Sequence, residues 1–146
     1  MKNETIMLVD DNPDDETLML RALKKNNLMI ETVVARDGVQ ALDYLFGEGA
    51  HAGRDTREMA RVALLDLKLP KDGLGVLRRL RADDRTRLLP VVILTSSNED
   101  QDRINSYGLG ANSYVRKPVD FDTFVAAAAQ LGLYWMVLNE APPRRV

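Results

Sequence analysis

Four short apolar runs in this chain each end in a group able to act on a cation or an anion. Residues 5–9, TIMLV, stop at Asp10 and Asp11. The run in LLDLKLP stops at Asp66, PVVIL stops at Thr95, and 112–116 stops at Lys117. If these groups meet, three carboxylates share one place, and clustered carboxylates repel unless a cation neutralises them. A hard, oxygen-preferring dication such as Mg2+ is the natural partner. The ammonium of Lys117 and the hydroxyl of Thr95 are donors to an anion. Acids, a dication, a Lys and a Thr together make a site for a phosphoryl group. One carboxylate of such a set can itself be the nucleophile and form an acyl phosphate. Each residue alone has a plainer reading: Asp66 as the start of a loop, Thr95 as a strand-end residue, Lys117 as a surface lysine. Their shared place at the ends of successive runs argues against those readings.

The runs that must position these groups read as buried strands, because they are short, branched and bounded by turn residues. Strands are expected at 5–9, 30–35, 63–65, 90–94 and 112–116. Between them lie amphipathic stretches read as helices. The first starts at Asn12-Pro13, where Asn12 can cap and Pro13 suits the first helical position, and runs to about residue 26 with Leu18, Leu20 and Leu23 inward. Asp14 and Asp15 are read there as partners of the helix dipole rather than site residues. Further helices are expected at 39–46, at 74–80 with its arginines outward, from 98–100 to 107, and at 124–138. Residues 54–61 read as a surface loop, with room for a helical turn. His51 stands in a Gly/Ala-rich loop with no evident partner and reads as solvated. The order βαβαβαβαβα implies an α/β fold: a doubly wound five-stranded parallel sheet with helices on both faces. Right-handed crossovers bring the strands' carboxyl ends to one edge, where open sheets place their ligands.

The 146 residues are enough for one domain with a proper core, expected over 1–139, followed by a short tail at 140–146. Twenty basic and 22 acidic residues leave a formal charge of -2, which gives no basic field for nucleic acid. No cysteine is present, so thiolate zinc sites and cysteine nucleophiles are excluded. No apolar run has the length of a membrane span or a signal peptide, and a cytoplasmic setting is expected.

Asp10-Asp11, Asp66 in LLDLKLP, Gly73, Thr95 in VVILTSS and Lys117-Pro118 in ANSYVRKP together resemble a response-regulator receiver domain of two-component signalling, similar in kind to the chemotaxis regulator. The resemblance spans residue 6 to about 129 and implies the flavodoxin-like (βα)5 receiver fold. It implies that Asp66 accepts a phosphoryl group from a sensor histidine kinase. It implies that Asp11, Asp66 and the backbone carbonyl of Lys68 ligate Mg2+, with Asp10 holding the ion partly through water. Thr95 and Lys117 would contact the phosphoryl oxygens, Tyr114 would move inward with Thr95, and the Lys117–Pro118 peptide would be cis. The residues alone leave Tyr114 open as an ordinary half-buried strand aromatic. The C-terminal GLYW and the long loop before the third strand resemble the small regulators that serve cyanobacterial and bacterial phytochromes, which makes a phytochrome the implied kinase.

Lys68 and Ser97 depart from the commonest family pattern and are expected to tune the lifetime of the acyl phosphate. As a receiver, the chain is expected to be a switch and no metabolic enzyme, catalysing only its own phosphorylation and slow dephosphorylation. Its output is expected through a homodimer formed by the face of helix four, strand five and helix five with the C-terminal helix, with no direct contact to nucleic acid or membrane. One rival is a small Mg2+-dependent phosphohydrolase with an Asp nucleophile, weakened because the usual second acid two residues on is here Lys68. The other is a pseudo-receiver that binds partners without phosphorylation.

Overall fold

The computed structural model describes residues 4–25, 30–69, 73–117 and 120–143. Five parallel strands form one sheet in the order β2-β1-β3-β4-β5: β1 (Glu4–Val9), β2 (Ile30–Ala35), β3 (Val62–Leu65), β4 (Val91–Thr95) and β5 (Ser113–Arg116). Helices α1 (Pro13–Lys25), α2 (Gly38–Phe46), α3 (Gly73–Ala82), α4 (Asp100–Gly108) and α5 (Phe121–Leu133) alternate with them. This is the doubly wound parallel sheet that the alternation of runs implies, in the flavodoxin-like strand order that the resemblance implies.

The sheet is buried on both sides because successive residues face opposite helices. Met7, Val9, Ala63, Leu65, Val91 and Ile93 pack against Ala41 and Leu45 of α2 and Val76, Leu77 and Leu80 of α3. Their neighbours Ile6, Leu8, Val62, Leu64, Val92 and Leu94 pack against Met19, Ala22 and Leu23 of α1 and Phe124 and Ala128 of α5.

Local chemistry starts the helices where it should. The Asn12 side chain accepts from the amides of Asp14 and Asp15 at 2.9 and 3.3 Å, a cap for α1. Asp37 caps α2 and Asp120 caps α5 in the same way. The sequence misplaces some details. Leu20 is exposed, and Met19 and Ala22 take the inward positions. Helix α5 begins at Phe121 and gives way after Leu133 to a π-helical turn, Tyr134–Leu138. That turn buries Trp135 and Met136 and leaves Tyr134, Val137 and Leu138 exposed.

The loop after α2 carries a 3-10 helical turn early, at Gly49–His51, and 54–61 holds a hydrogen-bonded turn in which the Glu58 amide donates to the Asp55 carbonyl at 3.0 Å. It is tied down by Arg54, which donates to the carbonyls of Tyr44 and Glu58 at 2.6 and 2.7 Å and lies 4.1 Å above the Tyr44 ring. His51 sets its ring edge-on to Tyr44, 5.1 Å away.

At the amino ends of β4 and β5, Arg81 is turned inward. It donates to the carbonyls of Leu89 and Gly110, both at 2.8 Å, and to the Asn112 side chain at 3.2 Å. The same Asn112 oxygen accepts from the amide of Val91 at 2.8 Å. No helix among the described residues is long and apolar enough to cross a membrane.

Candidate phosphoryl-acceptor site

Strand register assembles the site. Val9 pairs with Leu65, and Leu65 pairs with Ile93. Asp10 and Asp66 are therefore the next residues beyond two adjacent strands. The Asp66 amide still donates to the Val9 carbonyl at 3.0 Å, and the Asp10 amide to Ala35 at 3.0 Å. On the other side Thr95 pairs with Arg116, and the Lys117 amide donates to the Thr95 carbonyl at 2.7 Å. All the strand-end groups singled out from the sequence thus lie along one edge.

Asp66 is 6% exposed and Asp10 only 2%. Buried carboxylates need partners, and both have them. Asp66 accepts from the Lys68 amide at 3.0 Å with one oxygen and from the Lys117 ammonium at 3.0 Å with the other. Asp10 accepts from the Asn12 amide at 2.9 Å and from the Lys117 ammonium at 2.7 Å. Burial raises the Asp10 carboxyl above its ordinary value, against the hydrogen bonds from Lys117 and Asn12, which lower it. Burial acts to lower the Lys117 ammonium, but its three carboxylate partners outweigh this, so it stays charged well beyond the usual lysine range.

Asp11 is exposed, and carboxylate oxygens of Asp10, Asp11 and Asp66 lie within 4.8 Å of one another. Three hard oxygen donors, one of them open to solvent, can hold a divalent metal ion. The donor set fits the ion expected from the sequence.

The third carboxylate on Lys117 corrects the sequence reading. Asp15, assigned to the helix dipole, accepts from the ammonium at 2.7 Å. It sits at the third position of α1, whose first turn overhangs the strand ends, and helical side chains lean toward the N-terminus. The cap at Asn12 could have signalled this, because it fixes how far α1 starts from Asp10.

Thr95 is fully buried, its hydroxyl accepting a long bond of 3.4 Å from the Ser97 amide. Ser97 is also buried, and its hydroxyl is engaged rather than open: it donates to Asp102 of α4 at 2.5 Å. The Tyr114 hydroxyl donates to the Ser97 carbonyl at 3.1 Å. Tyr114 is half-buried against the core and tied to the loop that follows Thr95. The Lys68 side chain is exposed, with only its amide on Asp66. The peptide expected to be cis involves Pro118, which lies outside the described residues.

Residues 6–129 match the family profile described as the response regulator receiver domain. A probable methanogenesis regulatory protein, FilR2 of Methanothrix harundinacea, is 38% identical over 94% of this chain and 86% of its own length. Response regulator Rcp1 of Synechocystis is 31% identical over 91% of this chain and 89% of its own. Its Mn2+-bound form superposes with a TM-score of 0.87, covering 96% of this chain and 99% of that one. The phosphorylated cyanobacterial phytochrome response regulator RcpA superposes with a TM-score of 0.89 at 32% identity, covering 97% of this chain and all of that one. The bacteriophytochrome response regulator RtBRR is 51% identical with a TM-score of 0.76, covering 97% of this chain and 86% of that one.

Proposed function

The chain belongs to the response-regulator receiver family, as a regulator of the phytochrome type, and from that premise we propose that Asp66 accepts a phosphoryl group from the phosphohistidine of a sensor kinase. The observation that carries the reading is the position of Asp66. It is a buried carboxylate at the end of β3, oriented by the Lys68 amide and the Lys117 ammonium and adjoining a carboxylate set able to hold a dication.

One Asp66 oxygen attacks phosphorus, the P–N bond breaks, and the imidazole of the kinase leaves with the electron pair. Mg2+ held by Asp10, Asp11, Asp66 and the Lys68 carbonyl would neutralise charge between donor and acceptor. Lys117 donates to the phosphoryl oxygens. The Thr95 hydroxyl, drawn to the new anion, takes the loop at Ser97 with it, and Tyr114 follows through its bond to that loop. The chain is a switch rather than a metabolic enzyme, built as one domain over residues 1–139. A phytochrome is the fitting kinase, since two of the similar structures serve phytochrome signalling by their names. Output runs through a homodimer on the face of α4, β5 and α5. Exposed Ile104 and Tyr107 on α4, with Leu133, Tyr134, Val137 and Leu138 at the C-terminal end, supply its apolar surface.

Intact mass after incubation with Mg2+ and acetyl phosphate tests this reading, and one added phosphoryl group is expected. Sedimentation of the same samples should show a dimer. A chain that takes up no phosphoryl group, and stays monomeric at high concentration with or without a beryllofluoride mimic, would refute it.

The lifetime of the acyl phosphate should respond to Lys68→Asn and Ser97→Ala. The first removes a solvent-exposed cation two residues beyond Asp66, and the second removes the hydrogen bond that ties the loop to Asp102. Each should change the dephosphorylation rate by about 3- to 10-fold, the effect of one lost or altered hydrogen bond or charge. Unchanged rates in both variants would remove the tuning role.

A further inference from the structure

An ammonium has three N–H donors, and in Lys117 all three are committed, to Asp10 at 2.7 Å, Asp15 at 2.7 Å and Asp66 at 3.0 Å. Two of these acceptors change when the site works. Asp66 becomes the acyl phosphate, and Asp10 belongs to the group of carboxylates able to hold a dication. Asp15 is the one partner of Lys117 outside that group. It is also held by helix α1, whose core anchors include neither Asp10 nor Asp66. Its amide and that of Asp14 are held by the Asn12 side chain, and α1 is anchored by Met19, Ala22 and Leu23 in the core shared with α5.

We propose that Asp15 is a positioning residue for Lys117. It keeps the ammonium at the strand edge while the other two acceptors change, so that the Lys117 N–H that had been bonded to Asp66 is already aimed where a phosphoryl oxygen arrives. The proposal rests on Asp66 as acceptor. In the step itself a bond forms between an Asp66 oxygen and phosphorus, and the bond from phosphorus to the donor's leaving group breaks with its electron pair. Lys117 retains its proton throughout, and Asp15 exchanges nothing.

The alternative is that Asp15 is only one more negative charge. In that case its removal would ease the approach of an anionic donor and speed uptake. The two ideas therefore predict opposite signs.

The test follows the rate of phosphoryl uptake from acetyl phosphate by intact mass, in the full chain with Mg2+. Asp15→Ala should slow uptake by about 10-fold, the scale of a misplaced catalytic group. Asp15→Asn keeps an oxygen acceptor without the charge and should slow it less than about 3-fold. In a Lys117→Ala background, Asp15→Ala should cause no further slowing. Melting temperature and Mg2+ affinity by calorimetry, near wild type in Asp15→Ala, separate this from misfolding or metal loss. Uptake by Asp15→Ala as fast as wild type or faster, or a slowing that persists without Lys117, overturns the proposal alone. A wild type that accepts nothing overturns the acceptor reading and this proposal with it.

Discussion

Asp66→Asn abolishes phosphoryl uptake: no added mass is expected after incubation with acetyl phosphate and Mg2+, a loss of at least about 100-fold. The substitution is nearly isosteric, so the amide oxygen can still accept from Lys68 or Lys117, whose bonds to Asp66 are each 3.0 Å. What disappears is the anionic oxygen lone pair that attacks phosphorus, and an amide does not replace it. The loss is therefore chemical rather than structural, and the variant should melt no lower than wild type. Burial holds the Asp10 carboxyl above its ordinary value, and the charge of Asp66 adds to this. Neutralising it relieves a like-charge contact between two buried groups. Metal affinity should fall as well, since one of three carboxylate donors is lost. A phosphoryl group found on the variant would show that another side chain is the acceptor.

Gly73→Ala lowers stability by about 2–3 kcal/mol, the upper part of the range for overpacking. Near the start of a helix the same change ordinarily gains up to about 1 kcal/mol by restricting the unfolded chain. Here the added Cβ would stand 2.6 Å from the Asp66 carbonyl oxygen and 2.7 Å from the Leu67 Cα. Both obstacles are main chain, so no side-chain rotation relieves the clash. Either α3 retreats from the sheet or the backbone of the acceptor itself moves. The midpoint of urea unfolding measures the first consequence and the uptake rate measures the second, and both should fall. A variant as stable as wild type would mean that this close approach relaxes freely.

The sheet was legible because its evidence is local and repeated. Each strand is a short apolar run, and each site residue stands immediately beyond one, so register alone carries Asp10, Asp66, Thr95 and Lys117 to a common edge. Polar partnerships between distant elements left no such trace. Asp15 belongs to Lys117, 102 residues away. A local reading assigned it to the nearest plausible role, the helix dipole. Ser97 drew notice only as a departure from the family pattern, and the hydroxyl of this residue reaches α4 at Asp102. Arg81 shares a stretch with Arg78 and Arg79, which are exposed, and only the loops packed beside it reveal that it points the other way. The end of α5 was blurred because a π-helical turn keeps the same apolar pattern going past Leu133.

Arg81 has a mechanical consequence. By gripping the carbonyls of Leu89 and Gly110 and the side chain of Asn112, it clamps the entrance to β4 and the exit from α4 at the edge farthest from the acceptor. The other end of α4 hangs from the loop at Ser97 through Asp102. Helix α4 is thus held at both ends, at Gly110 by Arg81 and beside Thr95 by Ser97. In the switch proposed above, displacement of that loop would turn the helix about this clamp, and the exposed Ile104 and Tyr107 would travel with it.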